Sequence, residues 1–176
     1  MKKIITLLSL TLSFAAFSQD VPSTPPNACY SGCTETQQRL LTDFETVGVL
    51  PDQAPAVYSG VCNHLGMYSP DVDHYSVVLL DQHQGKWTFG SIFSFFAEED
   101  DFKNWDLEKA RAEISPYWKE HSTLIVEDNT ARAVVRYPSG APAYIYWMRQ
   151  HPVTKELLYI TYAGQVMISF CRLQQH

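Results

Sequence analysis

Residues 86–96, KWTFGSIFSFF, constrain the fold more than any other stretch of the chain. Trp87, Phe89, Phe93 and Phe95 fall on one parity, and Thr88, Gly90, Ile92, Ser94 and Phe96 on the other. Successive side chains of an extended strand point to opposite faces, so the four aromatics of one parity make a single apolar wall. The rest of the chain reads as built around it.

From Ala56 onward the polarity repeats with period two. Strands are predicted over 56–63, 74–81, 86–96, 122–127, 131–137, 142–150, 156–162 and 165–173. Turn-forming residues separate most of them: Gln82-His83-Gln84-Gly85, Asp128-Asn129, Pro138-Ser139-Gly140, His151-Pro152-Val153-Thr154 and Ala163-Gly164. Short connections of this kind give an antiparallel meander. A helix is predicted over 35–47, with Thr34 and Gln37 at capping-box spacing, a stripe of Leu40, Leu41, Phe44 and Val47, and Gly48 placed for a left-handed cap. A second is predicted over 104–114, its apolar face made by Leu107, Ala110 and Ile114, with Ser115-Pro116 ending it or starting a new turn.

Residues 1–18 have the plan of a secretory signal. Lys2 and Lys3 precede an apolar run over 4–17, and Ala16 and Ser18 are small residues before a cleavage point at Gln19. The run is too short to span a bilayer. The spacer and CYSGC segment 19–33 follows, read as extended and unpacked through its three prolines, and then one domain over 34–176. The expected location is the periplasm or the extracellular space. Removal of Lys2 and Lys3 leaves 11 basic residues against 19 acidic, a net charge of −8. Nucleic acid and anionic membrane surfaces both select a basic face, so neither is expected as a partner. A barrel embedded in a membrane is not expected either, because several strands are shorter than a span requires.

Export makes the four cysteines disulfide candidates. Three connectivities are possible among Cys29, Cys33, Cys62 and Cys171. Cys29 and Cys33 are near enough to bridge through Ser31-Gly32. A bond between Cys62 and Cys171, on the first and last predicted strands, closes a loop worth roughly 4–5 kcal/mol in the chain-entropy model. A zinc site would need closely spaced pairs that Cys62 and Cys171 do not offer.

The fold class these signals imply is mainly β: an eight-stranded antiparallel barrel, or a strongly curved meander sheet, with an N-terminal helix and one helix between strands three and four. An open sheet with both helices on its concave face is the second arrangement. At the level of pattern the layout over 56–173 resembles the small extracellular ligand-binding barrels called calycins, which include lipocalins and avidins. Where a lipocalin's first strand carries Gly-x-Trp, this chain has Gly60-Val61-Cys62. The resemblance implies a barrel whose interior holds a small molecule.

Ten tyrosines, nine phenylalanines and four tryptophans supply the material for such a site. The candidate ligand-binding residues are Trp87, Phe89, Phe93, Phe95, Tyr144, Trp147 and Arg149. The aromatics would line a cavity, and Arg149, if inward at the mouth, would hold an anionic group bidentately. The competing account is that the aromatics simply fill the core and Arg149 reaches solvent. Asp71, Asp73 and His74, with His64 nearby, could bind a metal or divide acid and base roles, although Pro70-Asp71 also reads as ordinary turn chemistry. The acidic run 98–101 lacks the ligand spacing of a calcium loop. No nucleophile elbow, phosphate loop or zinc-protease motif is present.

Three functions are therefore expected in order: an exported β-barrel binding a small apolar or aromatic molecule without catalysis or cofactor; an interaction or inhibitor module with a cell-envelope protein as partner; and a hydrolase or isomerase using His64, Asp71, Asp73 or His74. The first calls for a cavity of about 300 Å3 or more.

Overall fold

The computed structural model describes Val21, Pro25 and residues 33–64, 73–94, 99–118, 124–136, 142–163 and 166–176. The predicted signal, Cys29, Asp71 and Phe95 lie outside these residues. Eight antiparallel strands make one sheet: β1 (Ala56–His64), β2 (Asp73–His83), β3 (Lys86–Ser94), β4 (Ile125–Glu127), β5 (Thr130–Arg136), β6 (Pro142–Gln150), β7 (Leu157–Ala163) and β8 (Val166–Gln175). Their order is β3-β2-β1-β8-β7-β6-β5-β4. Sequence neighbours pair except β3 and β4, and β1 pairs with β8, so this is a meander barrel opened between β3 and β4.

The sheet curls into a half-barrel. Phe89 of β3 and Tyr146 of β6 have four strands between them in the sheet, yet their ring centroids lie 4.9 Å apart. Only strong curvature brings them together. At one end the two edges meet: the N–H of Leu124, just before β4, donates to the Trp87 carbonyl at 3.0 Å. Two of the hairpins use paired positive-φ residues, Gln84 and Gly85 (φ 52° and 76°) and Asp128 and Asn129 (φ 48° and 59°). This is the type I′ pattern, whose twist matches that of the flanking strands.

Alternation sorts each strand's residues between three apolar clusters. Inside the curl, every strand except β4 contributes, among others Tyr58, Val78, Phe89, Ala133, Tyr146, Met148, Tyr159 and Leu173. On the convex face, α1 (Glu35–Thr46) lays Leu40, Leu41 and Phe44 on Ile145, Trp147, Leu158, Ile160 and Phe170. Farther round, Phe102 of the single-turn α2 (Glu99–Phe102), Trp105, and Ala110 and Ile114 of α3 (Leu107–Trp118) cover Val57, Val77 and Leu79. Each large apolar side chain so buried contributes about 1.5–3 kcal/mol. Both helices thus lie on the convex face, not the concave one, because the interior is already filled by the strands' own inward residues.

The helix ends follow local chemistry. Thr34 Oγ1 accepts from Gln37 N–H at 3.3 Å and Gln37 Oε1 accepts from Thr34 N–H at 2.9 Å, the predicted capping box. Asp106 caps α3 through Oδ1 to Lys109 N–H at 2.8 Å. Two expectations need correction. Gly48 is not left-handed. Val47, in right-handed geometry, is the cap, and Gly48 is required by space instead: a Cβ there would sit 2.7 Å from the Phe44 carbonyl oxygen and 2.8 Å from Arg149 Cδ. Of the two readings of Ser115-Pro116, an end or a further turn, the second holds, since α3 continues to Trp118. The spacer is also packed in part, for Val21 is buried against the α1 cluster and its carbonyl accepts from Arg132 Nη1 at 2.8 Å.

Cys62 and Cys171 are disulfide-bonded, as register partners on β1 and β8 with Cα atoms 4.2 Å apart. Cys33 is disulfide-bonded too, to a partner outside the described residues. No helix among the described residues is long and apolar enough to cross a membrane.

Candidate functional site

Along the interior the character of the inward residues changes. Toward one end β2, β6, β7 and β8 present Leu80, Met148, Leu157 and Leu173, all fully buried. Toward the other end the same strands present Ser76 and His74, Tyr144, Thr161, and Ser169, and β3 adds Ser91 and Phe93. These residues wall a cavity of about 60 Å3. Ser76, Ser91, Thr161, Ser169 and His74 are all buried there. Buried polar groups cost free energy relative to apolar ones unless hydrogen-bonded.

The aromatic part of the wall is ordered. Tyr146 stacks on Tyr159 at 5.9 Å and 7° and on Tyr144 at 6.3 Å and 21°. Tyr159 Oη lies 3.5 Å from Ser91 Oγ across the curl. Burial holds the phenols of Tyr159 and Tyr146 well above the ordinary tyrosine range, with the neighbouring Tyr159 and Tyr144 adding to the effect at Tyr146. Both remain neutral. At the rim, Phe93 is 60% exposed and Tyr144 43%, and the His74 ring meets Phe93 edge-on at 5.6 Å.

The predicted site residues therefore separate. Phe93 and Tyr144 line the cavity mouth. Phe89 and the half-buried Trp87 belong to the apolar interior below it. Trp147 and Arg149 are on the opposite face from the cavity, which corrects the inward reading of their parity. Trp147 is 1% exposed under α1, edge-on to Tyr162 at 5.3 Å. Arg149 is buried as well. Its Nη1 donates to the Phe44 carbonyl at 2.7 Å, Nε to Thr130 Oγ1 at 2.8 Å and Nη2 to the Asp128 carbonyl at 3.1 Å, and the guanidinium lies over the Phe44 ring. Burial pulls its pKa down, against the opposing pull of Glu45 and Asp128. It neither reaches solvent nor faces a ligand: it satisfies the carbonyls at the C-terminus of α1, where a cation also suits the helix dipole.

Of the D-x-D-H cluster only His74 has a described side chain, and it lies in the cavity wall. No group of three or more His, Cys, Asp or Glu placed to hold a metal occurs among the described residues. The serines and threonine of the wall were not singled out by sequence. Their signal is available in hindsight, as small polar residues on the inward parity of β2, β3, β7 and β8. The cavity is about a fifth of the ~300 Å3 that the ligand-binding expectation called for, so that expectation is not met for a drug-sized ligand, because Tyr146, Tyr159 and Phe89 fill the centre of the barrel.

No protein-family model matches the chain, and no curated protein or solved structure matches it significantly.

Proposed function

We propose that the protein is an exported, non-catalytic binder of a small molecule with an apolar or aromatic part, held in the cleft between β2, β3 and β6–β8. The observation that carries this reading is the change in lining within one interior. The same strands that place leucine and methionine at one end place hydroxyls and a histidine at the other, under two aromatic rings left open to solvent. The Cys62–Cys171 disulfide supports an oxidising compartment, in keeping with the predicted export signal.

Native mass spectrometry of the protein purified from its own compartment tests the reading. A bound small molecule is expected, and it should be lost on Phe93→Ala or Tyr144→Ala. Recovery at the bare protein mass, together with a fragment screen in which no compound shifts the resonances of Phe93 or Tyr144, would overturn it.

A further inference from the structure

The interior tyrosines form a ladder that stops at the cleft. Tyr159 is 3% exposed and Tyr146 8%, and the nearly parallel stack ends at Tyr144, 43% exposed. Phe89 closes the inner side of Tyr146 at 4.9 Å. The last rung therefore has a ring surface at the cavity mouth, and Phe93 stands on β3, the strand that faces β6 across the interior.

Resting on the binding reading above, we infer that the cleft takes an uncharged, flat, single-ring molecule bearing a hydroxyl group, a phenol-type compound. Its ring would lie against Tyr144 as the next rung, with its hydroxyl among those of Ser76, Ser91, Thr161 and Ser169. Size sets the single ring. The cavity of about 60 Å3 holds roughly four to six water-sized volumes, less than the ~150 Å3 of a cavity that encloses benzene, so at most a hydroxyl and part of one ring enter and the rest of the ring stays at the open mouth. Flatness follows from the ladder, since stacked or tilted aromatic contacts reward a planar partner beyond the area they bury. The absence of charge follows from the lining. Seven of the nine described lining residues carry hydroxyls, which donate and accept equally and complement a neutral hydroxyl in either sense. A carboxylate would exchange its hydration for hydroxyls and the His74 ring, with no lysine or arginine among the described lining residues.

Isothermal titration of the full, oxidised, processed chain with phenol, benzoate and cyclohexanol tests the inference, with NMR to locate binding. Phenol is expected to bind about three- to tenfold more tightly than cyclohexanol, the worth of one aromatic contact, and more tightly still than benzoate. Tyr144→Leu, at a half-exposed position, should weaken phenol by a similar factor more than it weakens cyclohexanol, while leaving the melting temperature nearly unchanged. Equal affinity for benzoate or cyclohexanol would overturn the assigned class. So would phenol binding that ignores Tyr144→Leu. If a long-chain alcohol shifts Phe93 and Tyr144 while phenol does not, the ring class falls and the binding reading stands. Silence at both residues with every probe sinks the two together.

Discussion

Arg149 illustrates how a single side chain can be misplaced by periodicity alone. Its parity with Ile145 and Trp147 is correct, but that parity faces α1 and not the interior. Four acceptors surround one guanidinium, the Glu45 carbonyl at 3.5 Å being the most distant. Arg149→Met should therefore leave the Phe44 carbonyl and Thr130 hydroxyl without their donor and lower the unfolding free energy by about 2–4 kcal/mol, measured by urea denaturation. Arg149→Lys should recover little of this, because an ammonium lacks the planar fork. Affinity for a cleft ligand should be unchanged in both. A loss below about 0.5 kcal/mol would show the cap to be dispensable. Gly48 belongs to the same contact. Gly48→Ala drives a methyl group into Arg149 and the Phe44 carbonyl, and it should be destabilising even though the backbone there needs no glycine geometry.

At the scale of elements, α3 is held by its apolar face and by one directed ion pair. Arg111 Nε and Nη2 donate to Asp81 Oδ2 and Oδ1 at 2.7 and 2.8 Å, tying the helix to β2. The Arg111 hydrogen bonds hold the Asp81 carboxyl below its ordinary value of 3.8. A carboxyl depressed by folding contributes stability that is complete above the ordinary value and disappears as pH falls through the lower, folded value. Amide-exchange protection of α3 should thus drop on acidification below pH ~4, and Asp81→Asn should remove that step. The contribution is under about 1 kcal/mol, because Arg111 remains half-exposed. If Asp81→Asn and the parent chain lose protection in parallel, the pair has no role in docking the helix.

For the whole molecule, the pairing of β1 with β8 decides the architecture, since it joins the two ends of the meander. The Cys62–Cys171 bond spans 109 residues of sequence across that seam. Cross-linking a loop of this length restricts the unfolded chain most, worth about 4–5 kcal/mol in the chain-entropy model. The double variant Cys62→Ala/Cys171→Ala should keep the β1–β8 ladder and the native circular dichroism spectrum, with a denaturation free energy lower by about that amount. A difference under about 1 kcal/mol would show that the unfolded chain is already restricted without the bond.

The sequence by itself determined the strand count, the antiparallel connections, the α1 capping box, the position of both main helices and the candidacy of Cys62 and Cys171 for bonding. These rest on local chemistry: side-chain alternation, the φ preferences of Asn, Asp and Gly in turns, caps within three residues, and cysteine count. Alternation also told Tyr144, Tyr146 and Met148 from Ile145, Trp147 and Arg149, but it is symmetric and does not say which set faces inward. Only the tertiary structure decided that, because the answer depends on where α1 docks. The opening wall of Trp87, Phe89 and Phe93 divides for the same reason. One strand runs from the packed floor of the barrel to its rim, so Phe89 is core and Phe93 is exposed, a difference of depth that period two does not encode. The hydroxyl-lined cleft likewise needed the fold, since Ser76, Ser91, Thr161 and Ser169 stand on four separate strands and meet only when the sheet curls.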